Sequence, residues 1–215
     1  LLVQNAGGSD GSQTDTNNTA IGCYAGKALT TGTSHTLIGS SAGASLTDGY
    51  NNVIIGKDAA TAAVYMSYSV IIGKGALSAA DGSENYNVVI GDGAGNAINN
   101  SDAEDNVIIG AAAGTGGTGL MKECIVIGRD AMNSTAGNAQ TGTIAIGNDA
   151  LTALTSGDAN IAIGYQAMLE ATDSNYNTVM GHQAAAAFDS GEHYNVVIGY
   201  QAAVSMDGSG CDDNV

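Results

Sequence analysis

One short pattern recurs eleven times in this chain of 215 residues: an aliphatic triplet, then Gly, then Ala three residues later. Successive glycines of the pattern are 17 to 19 residues apart. Self-similarity at a nearly constant short period is typical of a solenoid, in which each repeat forms one coil stacked on its neighbours. The sequence therefore predicts a solenoid. The repeat glycines are Gly22, Gly39, Gly56, Gly73, Gly91, Gly110, Gly128, Gly147, Gly164, Gly181 and Gly199.

The composition supports a thin structure. A rounded domain of this length needs large side chains to fill its centre. This chain has one Phe, no Trp, no Pro and 32 Gly. Such small side chains suit a core that is one or two residues wide, so we expect a rod.

The triplet before each glycine is β-branched or aliphatic and too short for a helix, and it predicts a short β-strand. With the repeat glycine as position 0, positions −3 and −1 face one side of the strand and position −2 the other. Both sides are apolar, and strands of this kind are buried on both faces. We expect one face to line the coil and the other to pack against neighbouring chains. Position −1 is occupied by Ile21, Ile38, Ile55, Ile72, Ile90, Ile109, Ile127, Ile146, Ile163, Met180 and Ile198.

Three further positions of the repeat carry structural expectations. The glycine either adopts a positive φ or lets two backbones approach closely. The Ala at +3 predicts a cramped interior corner in which a larger side chain would overpack. Asn occupies position −4 in seven repeats, and its amides are expected to form a hydrogen-bonded ladder between coils stacked at about 4.8 Å. These residues are Asn18, Asn52, Asn87, Asn106, Asn160, Asn177 and Asn195.

The repeat array is predicted to span residues 18–203, with about 11–12 coils of 17–19 residues each. Residues 1–17 resemble a degenerate opening coil, with Val3 where the repeat glycine is expected. Residues 204–215 are predicted to begin a further repeat, because Asn214-Val215 repeats the opening of Asn195-Val196. We therefore expect the rod to continue in a longer protein or to be completed by a neighbour.

The charge of the chain limits its partners. It contains 21 acidic and 5 basic residues, a formal net charge of −16. Binding to nucleic acid needs a basic surface, and anionic membrane surfaces would repel this chain. No apolar run approaches the roughly 20 residues that span a bilayer, so neither nucleic acid nor membrane insertion is predicted. Cys23, Cys124 and Cys211 lack metal-type spacing, and Cys124 is expected to be a small buried side chain.

The segment Asn160-Ile161-Ala162-Ile163-Gly164-Tyr165-Gln166-Ala167 and its relatives resemble known repeats. They are similar to the head repeats of YadA-type trimeric autotransporter adhesins and, more closely, to the repeat arrays of bacteriophage tail fibres. The resemblance covers about residues 18–203. It implies a left-handed parallel β-roll in a homotrimer, with the three chains intertwined or side by side around a common axis. The longer turns here depart from the YadA-type period.

The same resemblance implies a function and a location. The chain is expected to be a structural segment of a virion fibre, a phage tail or head fibre, serving as shaft and contacting a receptor or glycan on the host surface. A bacterial trimeric adhesin head or extracellular filament is the alternative. Either function places the protein on a virion, at the cell surface or outside the cell.

An enzyme is the remote alternative. The unit Ile-Gly-x-x-Ala also matches the hexapeptide of left-handed β-helix acyltransferases, but those proteins place several hexapeptides in each coil. They also need a catalytic His as base. His35, His182 and His193 stand in no visible acid–base constellation. The sequence therefore predicts neither catalysis nor a cofactor.

Two sets of residues remain as candidate binding sites. Asp102, Glu104 and Asp105 are candidates for binding Ca²⁺, which takes oxygen ligands, although such residues also favour solvated turns. Four tyrosines precede the Asn that opens a strand: Tyr50, Tyr86, Tyr176 and Tyr194. They are predicted either to form a stripe that binds a sugar or a protein or to stack over the adjacent coil.

Overall fold

The computed structural model describes residues 3–4, 17–117, 119–134 and 139–204, and none of these residues lies in an α-helix. Fourteen short strands provide the regular structure. They are β1 (Val3–Gln4), β2 (Thr19–Ile21), β3 (Thr36–Ile38), β4 (Val53–Ile55), β5 (Val70–Ile72), β6 (Val88–Ile90), β7 (Val107–Ile109), β8 (Met121–Lys122), β9 (Ile125–Ile127), β10 (Gln140–Thr141), β11 (Ile144–Ile146), β12 (Ile161–Ile163), β13 (Thr178–Met180) and β14 (Val196–Ile198).

Every aliphatic triplet forms a strand of one sheet, in the order β1-β2-β3-β4-β5-β6-β7-β9-β11-β12-β13-β14. From β2 onward all pairings are parallel and in register, so that Ile54 lies beside Ile71, and Ile71 beside Val89. Because each strand pairs with its counterpart one repeat later, the described residues wind through about ten turns, fewer than the 11–12 coils predicted. The predicted all-β parallel solenoid is confirmed.

Two small features depart from this regularity. Strands β8 and β10 form a separate parallel pair, with Gln140 beside Met121. Strand β1 pairs antiparallel with β2, with Val3 opposite Ile21. Most of the predicted opening coil, and residues 205–215 with Cys211, lie outside the described residues, so these two domain boundaries stay predictions.

Two positions of the repeat line the interior of the coils in almost every turn. The middle residue of each triplet is buried, as Leu37, Ile54 and Val126 illustrate. The Ala at +3 is buried in every repeat from Ala25 to Ala184 and partly buried at Ala202. Both expectations about the interior are therefore confirmed.

The repeat glycine meets both of its predicted requirements. Gly56 has a φ of +139°, and a Cβ added there would overlap the carbonyl oxygen of Gly73 on the next coil. The same overlap recurs from Gly22 to Gly181, while at Gly199 the nearest atom would be Ala202 Cβ at 3.6 Å. Glycine at this position thus permits both the positive φ and the close stacking of neighbouring coils.

Residues with a left-handed backbone conformation (positive φ) form the corners of each coil. Among the described residues, every non-glycine with a positive φ occupies position −5, +2 or +4. In one coil these are Asn51 (φ 59°), Asp58 (φ 57°) and Ala60 (φ 46°). Side chains with a Cβ enter this region at a cost of roughly 1 kcal/mol each, so the stacked coils must stabilise all three corners.

The Asn ladder is also confirmed. The backbone N–H of Asn106 donates to Asn87 Oδ1 at 3.0 Å, and the backbone N–H of Cys124 donates to Asn106 Oδ1 at 3.0 Å. Asn106 Nδ2 donates to the carbonyl of Met121, at position −7 of the next coil, at 2.8 Å. One side chain therefore satisfies two buried backbone groups of its neighbour.

Candidate functional site

The largest candidate surface is the outward side of the main sheet. We call it the outer sheet face, defined by positions −3 and −1 of the eleven aliphatic strands. These residues are Thr, Val, Ile or Met, and none carries a charge. Most are half-buried within the single chain, whereas the residue between them is buried. Ten strand spacings of about 4.8 Å give this aliphatic face a length of roughly 50 Å.

Exposure is greatest where the sheet ends, because the last strand, β14, has a described neighbour on one side only. Met180 is 43% exposed and Ile198 is 64% exposed, although both occupy the position that is half-buried elsewhere. Contiguous exposed aliphatic surface of this kind marks sites of association with other molecules. The outer sheet face is therefore the first candidate for function.

Tyrosines line one side of this face. We call position −5 of each repeat the leading border. Its Tyr68 and Tyr86 stack with ring centroids 5.1 Å apart and planes 7° apart, and Tyr50, one position earlier in its repeat, meets Tyr68 edge-on at 5.1 Å. Further along, Tyr176 and Tyr194 stack at 5.2 Å. The predicted stacking between coils is present, while the binding stripe stays a prediction.

A second column lies on the other side of the face. We call position +1 the trailing border. The ring of His182 stacks between those of Tyr165 and Tyr200, with centroid distances of 5.0 and 5.4 Å. The signal for this column was the recurrence of Tyr-Gln, His-Gln and Tyr-Gln after three successive repeat glycines, which the sequence interpretation missed.

The Gln residues that follow these rings are linked along the same line. Gln183 Nε2 donates to Gln166 Oε1 at 2.9 Å, and Gln201 Nε2 donates to Gln183 Oε1 at 2.9 Å. Amide ladders of this kind stabilise stacked parallel strands. At positions +1 and +2 the last three coils thus carry aromatic and amide columns, where several earlier coils carry charged residues.

Charge is distributed unequally between the two borders. Lys57, Lys74 and Arg129, three of the five basic residues, occupy the trailing border. The leading border contains Asp105 and Glu123 and no basic residue. Three ion pairs among the described residues join sequence neighbours or adjacent coils: Lys57–Asp58 at 3.4 Å, Arg129–Asp130 at 3.0 Å and Lys122–Glu104 at 3.8 Å.

The candidate calcium ligands are not assembled into a site. Asp102 and Asp105 are exposed, and Glu104 pairs with Lys122. Among the described residues, no group of three or more His, Cys, Asp or Glu side chains is arranged to hold a metal ion. The acidic turn therefore offers no preformed cation site.

The three histidines lie in different coils and have different surroundings. His35 takes the Asn position in the ladder, where its Nδ1 accepts the backbone N–H of Asn52 at 3.4 Å. Its burial lowers the pKa to about 4, against a smaller opposing effect of the Gly49 carbonyl and Asp48. His182 belongs to the trailing column, and His193 Nδ1 accepts the backbone N–H of Asn175 at 3.0 Å.

Three other titratable groups are buried, Cys124, Glu84 and Glu192, and burial shifts the pKa of the first two. Cys124 is buried as expected, and its burial raises the thiol pKa to about 11, which keeps it protonated and unreactive. Burial also raises the pKa of Glu84, whose Oε2 accepts the backbone N–H of Gly82 at 3.2 Å. Both groups lie inside the coils, away from the outer sheet face.

No protein-family model, curated protein or solved structure matches the chain. In the part of the chain that the structure describes, no helix is long and apolar enough to cross a bilayer.

Proposed function

We propose that this chain is a structural segment of a homo-oligomeric fibre whose solenoid rods associate through their outer sheet faces. The fibre is a left-handed homotrimer and part of a virion, where it serves as a shaft and contacts the host surface. The resemblance of the repeats to phage tail-fibre arrays supports the trimer, the handedness and the location.

The observation that carries this proposal is the largely aliphatic outer sheet face, which holds no charged side chain. A monomeric rod would be expected to present polar side chains on the outward side of its sheet, as half-solvated sheets do. Here position −1 is Ile or Met in all eleven coils, and position −3 is Val or Ile in eight of them and Thr in the other three. Burial of apolar area contributes about 25 cal/mol per Å², so two such side chains per coil provide a large driving force for association.

Ile146→Asp tests the association directly. Ile146 is half-buried on the outer face of a single chain, so a carboxylate there stays partly solvated in a monomer. Between chains it would be buried without a partner, which costs several kcal/mol. We expect sedimentation velocity to show an oligomer for the wild type and a folded monomer for the variant, with folding followed by circular dichroism.

Asn96→Asp provides the matched control, because it adds one charge at an exposed position outside the face and its borders. It should leave the oligomer intact. Ile146→Thr, a milder change, covers the case in which Ile146→Asp does not fold. A wild-type chain that sediments as a folded monomer at micromolar concentration would contradict the proposal.

A bacterial trimeric adhesin head or an extracellular filament is the second candidate. The exposed aromatic columns favour it, because Tyr residues are enriched where proteins bind sugars and other proteins. Tyr200 is 73% exposed and Tyr194 is 56% exposed. Glycan-array binding that is lost in Tyr194→Ala/Tyr200→Ala, with the oligomer retained, would support a surface-binding function.

We propose no enzymatic activity. The acyltransferase alternative requires a His base, and His35 is buried in the ladder while His182 stacks between two tyrosines. Acyl transfer from an acyl thioester that is abolished by a His→Ala substitution would overturn this statement.

A further inference from the structure

We propose that a notch in the leading border binds a neutral pyranose sugar. The notch spans four consecutive coils: Tyr176 and Glu123 form its two ends, and Ala159 and Gly142 form its floor. This inference deepens the proposed function and rests on it, because it takes the contact between the fibre and the host surface and names one site and one class of ligand for that contact.

The notch exists because two consecutive coils lack a large side chain at position −5. Ala159 and Gly142 hold this position and are exposed. Among the described residues, no atom lies within 4 Å of a Cβ added at Gly142. The two ends, Tyr176 and Glu123, are three coils apart, which is roughly 14 Å. Since stacked rings of this border occupy one coil each, the notch has room for about two sugar rings.

One face of the Tyr176 ring is turned towards this space. The other face stacks on Tyr194, with centroids 5.2 Å apart and planes 5° apart. Because this distance is close to the coil spacing of about 4.8 Å, the ring planes lie across the rod axis. The second face of Tyr176 therefore points along the axis, over Ala159, whose methyl group is too small to cover it. An aromatic face is negatively polarised, so it forms a platform for the C–H groups of a sugar.

Hydrogen-bond acceptors stand beside this platform. Asp158 precedes Ala159 in the chain, and its Oδ1 accepts the backbone N–H of Thr141 at 2.7 Å, which holds the carboxylate in place and leaves Oδ2 available. The Glu123 carboxylate is exposed at the far end of the notch. Hydroxyl groups donate to carboxylates in short, strong hydrogen bonds. A pyranose matches this arrangement, because it presents C–H groups on one face and hydroxyl groups around its rim.

The charge around the notch selects among sugars. The leading border contains Asp105 and Glu123 and no basic residue. Lys122 precedes Glu123, but it pairs at 3.8 Å with Glu104 of the coil on the side away from the notch. In a chain of net charge −16, an anionic sugar such as a sialic or uronic acid is repelled. The ligand we expect is therefore a neutral hexopyranose.

Ala159→Tyr tests the site by filling the notch. Ala159 has a φ of 54°, and Tyr occupies the same position in four other coils with φ between 56° and 60°, so the backbone accepts the change. The new ring would stack on Tyr176 in the place assigned to the sugar. We expect the variant to fold and associate like the wild type and to lose sugar binding.

Saturation-transfer difference NMR on the full chain measures this binding. The probes are the methyl glycosides of glucose, galactose, mannose and N-acetylglucosamine at millimolar concentration, with the methyl glycoside of N-acetylneuraminic acid as the anionic comparison. We expect at least one neutral glycoside to give a signal from its C–H protons and the anionic one to give none. Ala159→Tyr should weaken the binding by about tenfold or more.

Two substitutions at the same position of different coils provide the matched comparison. Tyr176 and Tyr86 are each 52% exposed, and each stacks on one neighbouring ring. Tyr176→Ala removes the platform and should weaken binding by about tenfold. Tyr86→Ala lies five coils away, about 24 Å, and should change binding by less than about twofold. An equal loss in both variants would overturn the assignment of the sugar to the notch.

The outcomes separate this inference from the function on which it rests. An oligomeric wild type that gives no signal with any neutral glycoside, or whose signal survives Ala159→Tyr, overturns the sugar site and leaves the fibre proposal standing. A stronger signal from the anionic glycoside overturns the assignment of a neutral ligand. A monomeric wild type that binds a neutral glycoside, with the loss in Ala159→Tyr, overturns the fibre proposal and supports the site.

Discussion

Two neighbouring glycines allow two effects to be measured separately: the cost of a positive φ and the cost of close contact between coils. Gly73 has a φ of +139°, and a Cβ there would overlap the Gly91 carbonyl, whereas Gly75 has a φ of +62° with no atom within 4 Å of an added Cβ. We expect Gly75→Ala to cost about 1 kcal/mol through backbone conformation alone. Gly73→Ala should cost about 3 kcal/mol or more. Denaturant unfolding followed by circular dichroism measures both, and equal losses would refute the close-approach explanation.

Glu84→Gln should stabilise the protein at neutral pH and lose this advantage in acid. Burial raises the folded-state pKa of Glu84 above its ordinary value of 4.5. The wild type is therefore most stable, relative to the variant, below pH 4.5, and it loses stability as the pH rises through the folded-state pKa. Gln140 occupies the same position of another coil and donates from Nε2 to the Thr155 carbonyl at 2.8 Å, so the coil accepts this side chain.

The measurement is the difference in melting temperature between Glu84→Gln and wild type from pH 4 to pH 8. All other carboxylates are common to both proteins and cancel in the difference. A difference that does not change with pH would contradict the assignment of a raised pKa to this group.

At the residue scale, the glycine, the interior Ala and the Asn ladder were predictable because one residue type recurs at one position. The left-handed corners were not. Position +2 is Tyr24 in one coil, Asp58 in another and Gln166 in a third, all with φ between 54° and 61°. The stacking of coils enforces that conformation, and no single residue type recurs at the position to signal it.

At the scale of the elements, the loss of a single side-chain amide from the Asn ladder at position −4 should lower the stability of the protein. Asn106→Leu leaves the Cys124 N–H and the Met121 carbonyl without their partners inside the coils, which should cost about 2–4 kcal/mol. Asn106→Ser is the matched control, because Ser69 occupies the same position in another coil and its Oγ accepts the backbone N–H of Asn87 at 3.1 Å. It should cost about half as much. Equal stability of the Leu and Ser variants in denaturant unfolding would contradict a role for the ladder.

The three-residue strands were predictable from their aliphatic triplets, and so was the direction of their pairing from the repeat. The pair formed by β8 and β10 was not, since Met121-Lys122 and Gln140-Thr141 share no pattern. Their pairing follows from the coils on which they lie rather than from their own side chains.

For the whole molecule, stability should be the sum of contributions from each coil and its immediate neighbours. Deletion of residues 148–181 removes two complete repeats and joins Gly147 to His182. We expect a folded protein whose longest dimension, measured by small-angle X-ray scattering, is shorter by about 10 Å. Deletion of residues 148–173 removes about one and a half repeats and should fail to fold. If both deletions fold equally well, coil-to-coil register is not what stabilises the rod.

At this scale the outer sheet face was predictable from the sequence. Three consecutive residues are enough to show that a short strand is apolar on both sides. The sequence did not reveal the borders. A column such as Tyr165, His182 and Tyr200 is assembled from residues 17 and 18 positions apart, and only the in-register stacking of β12, β13 and β14 brings them together.

The trailing border shows how such a molecule can change during evolution. Its eleven positions hold thiol, hydroxyl, ammonium, carboxylate, guanidinium, amide, methyl, imidazole and phenol groups, while the glycine immediately before each of them never varies. Most of these side chains are exposed, and exposed substitutions usually change stability by less than about 0.5 kcal/mol. Selection can therefore alter the chemistry along this line one coil at a time, at little risk to folding, so two rods of the same architecture can diverge in what they recognise.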